Sequence, residues 1–136
     1  MCNHLLWYSM KNRKDIGNYG EDVAEMFLMK RGFTILHRNY RLFFGEIDII
    51  AEKEGIIRFV EVKTVSQKTY SRGIKPEDHV TREKISRIMK VAEFFLSNNN
   101  LFHRSSQIDV ISIVKPSDML HMKPEIQFFE NVTREN

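Results

Sequence analysis

The sequence predicts an α/β fold in which a mixed β-sheet is flanked by helices. Two patterns of helical spacing are separated by a block of apolar, strand-like segments, and another apolar segment of strand length follows the second pattern. At 136 residues, of which 42% are hydrophobic and 29% charged, the chain has the size and composition of one globular domain. Helices packed against a sheet bury strands of this kind, so we expect this architecture.

The first helix is predicted over residues 16–31, and Gly32 is placed to end it because glycine readily adopts the left-handed conformation of a helix cap. Its apolar side chains recur at helical spacing and are Val23, Ala24, Phe27 and Leu28. Small residues form a seam along it, at Gly17, Gly20 and Ala24. This small-residue seam allows the helix to lie close to a sheet. Residues 33–42 are predicted to form the first strand.

The next segment, residues 45–64, is predicted to be a β-hairpin that carries acidic residues among aliphatic ones. A two-residue turn at Glu54-Gly55 is favoured because glycine accepts a positive φ. The register that follows places these pairs on one face: Ile50 with Phe59, Asp48 with Glu61, and Glu46 with Lys63. Directly opposed carboxylates repel each other, so their position in apolar strands indicates a bound cation. A three-residue loop would instead turn Glu61 to the other face.

The remaining elements follow the hairpin. Residues 66–79 are turn-rich and basic and are predicted to form a loop. A second helix is predicted over residues 80–97, where apolar side chains recur at helical spacing. A strand is expected at residues 108–114 and a short edge strand at residues 125–130. The predicted order is therefore helix, three strands, helix, strand and a short edge strand.

We divide the chain into a flexible basic arm at residues 1–14 and a single domain at residues 15–132. The first residues lack the pattern of a secretory signal, and no segment has the length of a membrane span. The single cysteine, Cys2, excludes an internal disulfide and is typical of a reducing compartment. The formal charge of +3 excludes no partner by itself. We therefore expect a cytoplasmic protein with no membrane partner.

The hairpin and the first helix contain a candidate catalytic centre. Its groups are Glu21, Asp48, Glu61, Val62 and Lys63. Mg²⁺ or Mn²⁺ is the expected cofactor, because the carboxylates of Asp48 and Glu61 and the main-chain carbonyl of Val62 are hard oxygen ligands. The Lys63 ammonium is expected to orient the attacking water or to neutralise charge on a phosphoryl oxygen. These groups together supply what phosphodiester hydrolysis needs.

A simpler interpretation exists for each of these residues. Acidic residues in strands are ordinarily exposed to solvent, and Lys63 can form a local ion pair with Glu46 or Asp48. Glu21 lies in the first turns of its predicted helix, where the helix dipole alone favours an acid. Because the face that carries Asp48 and Glu61 is largely apolar, a site is favoured over exposure for these two acids. The two interpretations of Glu21 are equally favoured.

Basic residues are concentrated after the third strand and near the end of the first. Those assigned to nucleic-acid binding are Arg41, Lys68, Arg72, Lys84 and Arg87. Positive side chains interleaved with an aromatic residue such as Tyr70 are suited to following a phosphate backbone. A run of charges along a helix is more often only its solvated face. The five histidines do not have the spacing of metal ligands.

Six short motifs carry a resemblance to a known family. They are Gly20-Glu21-Asp22-Val23-Ala24, Arg38-Asn39-Tyr40-Arg41, Gly45-Glu46-Ile47-Asp48-Ile49-Ile50, Phe59-Val60-Glu61-Val62-Lys63-Thr64, Val80-Thr81-Arg82-Glu83-Lys84 and Asp109-Val110. In order and spacing, the set resembles the YraN-like uncharacterised bacterial family, within the PD-(D/E)XK nuclease superfamily. The resemblance spans about residues 15–132. It implies a restriction-endonuclease-like core: a helix, a three-stranded meander, a helix and a strand.

The resemblance also implies roles for individual residues and an action on nucleic acid without an assigned substrate. The catalytic positions would be taken by Asp48, Glu61, Lys63 and, as the helix acid of junction-resolving relatives, Glu21. One position departs from the pattern. Gln107 stands two residues before Asp109, where an arginine is expected, so that either Arg104 substitutes for it or one phosphate contact is missing.

We expect a Mg²⁺- or Mn²⁺-dependent nuclease that hydrolyses phosphodiester bonds in DNA, including branched or damaged forms. The alternative is a nucleic-acid-binding module that cleaves nothing and is recruited by a DNA-processing protein. A domain that only binds other proteins would have affinity neither for metal nor for nucleic acid. A homodimer is also considered, because junction resolvases act on two-fold symmetric substrates. Phe43-Phe44 or the arm at Trp7-Tyr8 would supply its surface.

Overall fold

The computed structural model describes residues 19–133. Its elements are α1 (Tyr19–Lys30), β1 (Thr34–Leu42), β2 (Gly45–Lys53), β3 (Ile56–Ser66), α2 (Gln67–Ser71), a 3₁₀ turn (Pro76–His79), α3 (Arg82–Asn98), β4 (Ser106–Lys115) and β5 (Glu125–Phe129). The predicted succession of helix, three strands, helix and strand is confirmed, as is the short edge strand. The predicted basic arm at residues 1–14 lies outside the described residues.

The five strands form one mixed sheet in the order β1-β2-β3-β4-β5. Neighbouring strands are antiparallel except β3 and β4, which are parallel and are connected through α3. The core on the α1 side includes Val23, Leu28, Ile49, Val60 and Ile111. The core on the α3 side includes Ile50, Ile57, Phe59, Ile88 and Phe95. This arrangement confirms the predicted α/β fold and has the order of a restriction-endonuclease-like core.

The turn between β2 and β3 fixes the register of the hairpin. Glu54 and Gly55 both have positive φ, at 53° and 80°, as a two-residue hairpin turn requires. The predicted register is confirmed over five residue pairs, the last of which is Ile49 with Val60. The alternative three-residue loop does not occur. The predicted end of the first helix is confirmed as well, since Gly32 has a φ of 88°.

The strict alternation expected along β2 fails in its middle. Ile47 and Ile50 both pack on the α3 side of the sheet, whereas Ile49 packs on the α1 side. The irregularity lies beside Asn39 in β1, which adopts a left-handed conformation with a φ of 53°. Asp48 therefore lies where the side chains of β2 change from one face to the other.

The segment predicted as a loop, residues 66–79, contains the short helix α2 and the 3₁₀ turn. Ser66 caps α2, because its hydroxyl accepts the Thr69 N–H at 3.1 Å. A helix of five residues is too short to produce a readable hydrophobic period, which explains the error. Across residues 19–133, no helix has both the length and the apolar character needed to cross a bilayer. The cytoplasmic location stays a prediction.

Candidate active site

The ladder between β2 and β3 opens beside Asp48. Main-chain pairing of the two strands reaches Ile49 and Val60. Further along β3, the Val62 N–H donates to Asp48 Oδ2 at 2.8 Å. The carboxylate therefore closes the gap between the two strands and is oriented by the main chain of the predicted tripeptide Glu61-Val62-Lys63.

Helix α1 brings Glu21 to this gap because it packs very close to β3. Gly20 makes the approach possible, since a Cβ atom at this position would overlap the Thr64 hydroxyl. The predicted small-residue seam is confirmed at this position. The Glu21 carboxyl group consequently lies close enough to Asp48 that burial and the charge of Asp48 together raise the pKa of Glu21. Glu21, Asp48 and Glu61 form what is here named the acid cluster.

Arg38 in β1 orients the acids of α1, a role that its place in the Arg38-Asn39-Tyr40-Arg41 motif does not predict. Its Nη1 lies 2.7 Å from Asp22 and 3.2 Å from Glu25, and its Nη2 lies 3.7 Å from Glu21. The sequence offers one signal for such a partner: acids at positions i, i+1 and i+4 lie along one side of a helix. No pattern in the sequence identifies Arg38 as that partner.

Glu61 is the most buried member of the acid cluster, with a side chain that is 8% exposed. Lys63 Nζ and Lys84 Nζ approach the same oxygen, Oε1, at 4.0 and 3.9 Å. Lys84 comes from the first turn of α3, where the side chain of the N-cap residue accepts its N–H. The predicted surface contact Lys84 thus faces the acid cluster and brings a second cation to it.

The crowding of these groups is reflected in their pKa values. Burial, and next the charge of Asp48, raises the pKa of Glu61 to about 8. The same two causes raise the pKa of Glu21 to about 7. Burial, with Lys84 alongside, lowers the pKa of Lys63. Such perturbed groups collected in one place are typical of functional sites.

Glu46 does not take the predicted position. It was expected on the face of Asp48, opposite Lys63, but its carboxylate accepts a hydrogen bond from Arg41 Nε at 3.0 Å. Its charge also contributes to the raised pKa of Glu21 on α1. The predicted pairing of Glu46 with Lys63 is therefore wrong, because β2 changes face at Asp48.

The other predicted nucleic-acid contacts are exposed side chains on the elements that flank the acid cluster. Lys68 and Arg72 belong to α2 and its C-cap, directly after β3, and both are exposed. Arg87 is exposed on α3, one turn after Lys84, and the Arg41 side chain is 71% exposed at the end of β1. The structure thus brings the four predicted catalytic residues together and leaves these four basic residues around them.

The donors at the gap fit a hard divalent cation that keeps several waters. Asp48 and Glu61 offer carboxylate oxygens, and the hydrogen bond to Asp48 brings the main chain of Val62 beside them. Among residues 19–133, no three His, Cys, Asp or Glu side chains have the geometry of a preformed metal site. Two carboxylates and a carbonyl do not need a third side chain, because Mg²⁺ is commonly bound through one or two carboxylates.

Gln107 and Arg104 are used elsewhere in the fold. Gln107 Nε2 donates to Asp109 Oδ1 at 2.9 Å, and Arg58 Nη1 donates to the other oxygen of this carboxylate at 2.9 Å. Arg104 donates to the Gly55 carbonyl at 3.0 Å, at the turn between β2 and β3. Arg104 is therefore engaged at the turn between β2 and β3, and Arg58 supplies the guanidinium that Asp109 contacts.

A sequence model described as "Uncharacterised protein family UPF0102" matches residues 20–113, which include all residues of the acid cluster and both lysines. The chain belongs to this family. A UPF0102 protein of Dictyoglomus turgidum is 46% identical over 103 residues, which cover 76% of this chain and 85% of the relative. A UPF0102 protein of Clostridium perfringens strain SM101 is 39% identical over 124 residues, which cover 91% and 98%. The resemblance to the YraN-like family is thereby confirmed.

Proposed function

We propose that this UPF0102 protein is a nuclease that hydrolyses phosphodiester bonds in DNA with Mg²⁺ or Mn²⁺ as cofactor. The observation that carries the proposal is the convergence of three carboxylates on one gap in the sheet, beside two lysines that lie 4.0 and 3.9 Å from Glu61. Crowded carboxylates favour a bound cation, and lysines next to them favour an anionic substrate.

The cation would be held by Asp48 and Glu61 together with the Val62 carbonyl. When bound, a divalent cation lowers the pKa of water and polarises a phosphoryl oxygen. The chain supports this binding by fixing the ligands beforehand. Asp48 is oriented by the Val62 N–H at 2.8 Å, and Glu61 is held on the neighbouring strand by burial against α3.

Lys63 is suited to act on the attacking water and on the phosphoryl oxygen that gains charge. A phosphate group beside Glu61 lies within reach of Lys63 Nζ, because this atom is 4.0 Å from Glu61 Oε1. An ammonium group aimed at developing negative charge is worth most where water is excluded. Lys84 adds a second positive group from α3, 3.9 Å from Glu61, that would also face the phosphoryl oxygen that gains charge.

Glu21 would assist through water. Its raised pKa of about 7 allows this carboxyl group to hold or release a proton near neutral pH, as a general acid or base must. Arg38 Nη2, 3.7 Å from the carboxylate, keeps Glu21 directed at the gap. Arg38 is therefore a positioning residue and does not itself touch the substrate.

The test is cleavage of labelled single-stranded, duplex, flap and four-way-junction DNA and of RNA, with Mg²⁺, Mn²⁺ or EDTA. We expect metal-dependent cutting that is lost in Asp48→Ala and in Lys63→Ala. Glu52→Gln is the matched control, because Glu52 lies on the same strand but pairs with Arg104 at the far end. Its activity should equal that of the wild type.

The other outcomes identify the alternatives. Binding of DNA without cutting would favour the recruited, non-cleaving module. Affinity for neither metal nor nucleic acid would favour a domain that binds only proteins. Cutting that survives both substitutions would contradict the assignment of the site.

A further inference from the structure

The turn between β1 and β2 carries an aromatic side chain that the fold does not use. Phe43 is 101% exposed, the largest value among the large apolar side chains of residues 19–133. Turns of this kind are ordinarily built from Gly, Asn, Asp or Ser, which are compatible with solvent. Phe43 belongs to neither core, and its exposed ring is available to a ligand.

The ring is held away from the protein by its neighbour. Phe44 packs edge-on against Phe94 of α3, with ring centroids 6.2 Å apart. Phe43 in turn packs edge-on against Phe44 at 5.0 Å, with the two rings at 81°. Phe44 thus anchors the turn on the helix, while Phe43 projects into solvent beyond it.

This turn directly precedes β2, the strand that carries Asp48, at the end of β2 that is nearer to the acid cluster. Asp48 follows Phe43 by five positions, and strand geometry limits their separation to about 17 Å. This distance corresponds to about five base steps along one strand of duplex DNA. The opposite end of β2 leads to the Glu54-Gly55 turn, away from the acid cluster.

Basic side chains accompany the projecting ring. Arg41, 71% exposed, precedes the turn and is oriented by Glu46. Arg87 lies on α3 beside Gly45, directly after the turn, since a Cβ atom at Gly45 would come within 4 Å of the Arg87 carbonyl and Cβ. The next basic residue on α3, Lys90, is also exposed. An aromatic ring beside cationic side chains is the combination that binds unpaired bases and their phosphates.

We propose that Phe43 stacks on an unpaired base, so that the protein selects DNA in which a duplex meets an unpaired segment. The inference rests on the proposed function, because it names the substrate class of the same site. The ring stacks on any base, while Arg41 and Arg87 contact the flanking phosphates. A scissile phosphate within about five nucleotides of the stacked base then reaches the acid cluster.

The test is equilibrium binding of the full chain, by fluorescence anisotropy in EDTA, to a flap DNA and to a fully paired duplex of the same length. Phe43→Ala should weaken binding to the flap about tenfold, the effect of losing one base stack, and should change duplex binding by less than about twofold. Phe43→Trp should retain flap binding. Phe102→Ala is the matched control, because Phe102 is also exposed (72%) but lies between α3 and β4.

Equal losses on both DNAs, or no loss on the flap, would overturn the inference. So would a Phe43→Ala variant that changes from dimer to monomer in size-exclusion chromatography with unchanged flap binding, since the ring would then contact a second copy of the chain. A wild type that binds no DNA overturns it as well. A wild type that binds the flap through Phe43 but cuts nothing with Mn²⁺ refutes the nuclease and leaves the stacking role intact.

Discussion

Strand β3 contributes to two clusters of buried charge, and only one of them is compensated. Near its start, Arg58 forms a network with Asp109 and Glu130, here named the Arg58 network. Near its end, Glu61 belongs to the acid cluster. The two clusters lie on the same strand of the same sheet. The difference in how their charges are compensated therefore shows which property is typical of a functional site.

The Arg58 network pairs its opposite charges at short range, although the buried Arg58 Nε has no hydrogen-bond partner among residues 19–133. Arg58 Nη1 donates to Asp109 at 2.9 Å and to Glu130 at 2.8 Å. Asp109, 0% exposed, also accepts hydrogen bonds from Gln107 Nε2 and from the Asn131 N–H. These contacts fasten the end of β5 to β3 and β4, which is a structural role.

The acid cluster is not satisfied in this way. Its three carboxylates lie close together, and the cations approach them only at long range: the two lysines at 4.0 and 3.9 Å from Glu61, and Arg38 at 3.7 Å from Glu21. The pKa values of Glu21 and Glu61 are raised because these cations do not fully compensate the burial and the neighbouring negative charge. Burial of charge therefore does not by itself indicate function, whereas charge that is buried and left uncompensated does.

The largest predicted effect is on stability at the Arg58 network. Asp109→Ala leaves a buried guanidinium without its main partner and should lower the free energy of unfolding by about 3–5 kcal/mol. Urea denaturation measures this change. Cleavage per folded molecule should be unaffected, and a loss of activity larger than the loss of folded protein would show that the network also serves the reaction.

Close packing of α1 against β3 gives the next effect. Gly20→Ala places a methyl group on the Thr64 hydroxyl and should cost about 1–3 kcal/mol of stability, together with activity, because Glu21 moves with the helix. The double variant Gly20→Ala/Thr64→Ala removes the overlapping hydroxyl and should recover most of both. If the two substitutions are additive in thermal unfolding, the contact is not the cause.

Two of the basic residues of α3, Lys84 and Arg87, should have different roles. Lys84→Met is expected to lower kcat about tenfold, because Lys84 faces Glu61 at 3.9 Å. Arg87→Met should instead raise KM and reduce the salt dependence of DNA binding, since an exposed arginine can contact only the backbone. If the two variants had equal effects on kcat and on KM, Lys84 would instead contact the DNA backbone from the protein surface, as Arg87 does.

The smallest effect is a pH dependence of stability. The pKa values of Glu21 and Glu61 are raised to about 7 and 8, so the folded protein retains protons that the unfolded chain has released. Their contribution is therefore complete at low pH and is lost as pH rises through these values. Thermal unfolding in EDTA should show Tm falling from pH 6 to pH 8.5, with a smaller slope in Glu61→Gln. A flat or rising Tm would contradict the assignment.

The sequence predicts the succession of elements and the hairpin register, because Gly32 and the Glu54-Gly55 turn act locally. It does not predict the change of face at Asp48. That change accompanies the left-handed Asn39 on the neighbouring strand, and a rule of strict alternation within β2 cannot include it. The failed pairing of Glu46 with Lys63 has the same origin.

The cations that accompany the acid cluster could not be predicted from the sequence either. Lys84 is one of several basic residues on α3, and only the packing of that helix against the sheet selects it to face Glu61. Arg38 is selected among the basic residues of β1 because α1 lies above it. Sequence spacing identifies the acids, whereas tertiary packing identifies the cations that accompany them.

The most direct test of the central claim is thermal unfolding of the wild type and of Asp48→Asn, each with EDTA and with Mn²⁺. The asparagine oxygen can still accept the Val62 N–H, while one negative charge of the acid cluster is removed. We predict that Mn²⁺ raises the Tm of the wild type, and that Asp48→Asn has a higher Tm in EDTA and loses the response to Mn²⁺. A lower Tm of Asp48→Asn in EDTA, with no response of the wild type to Mn²⁺, would show that the acid cluster is compensated and is not a cation site.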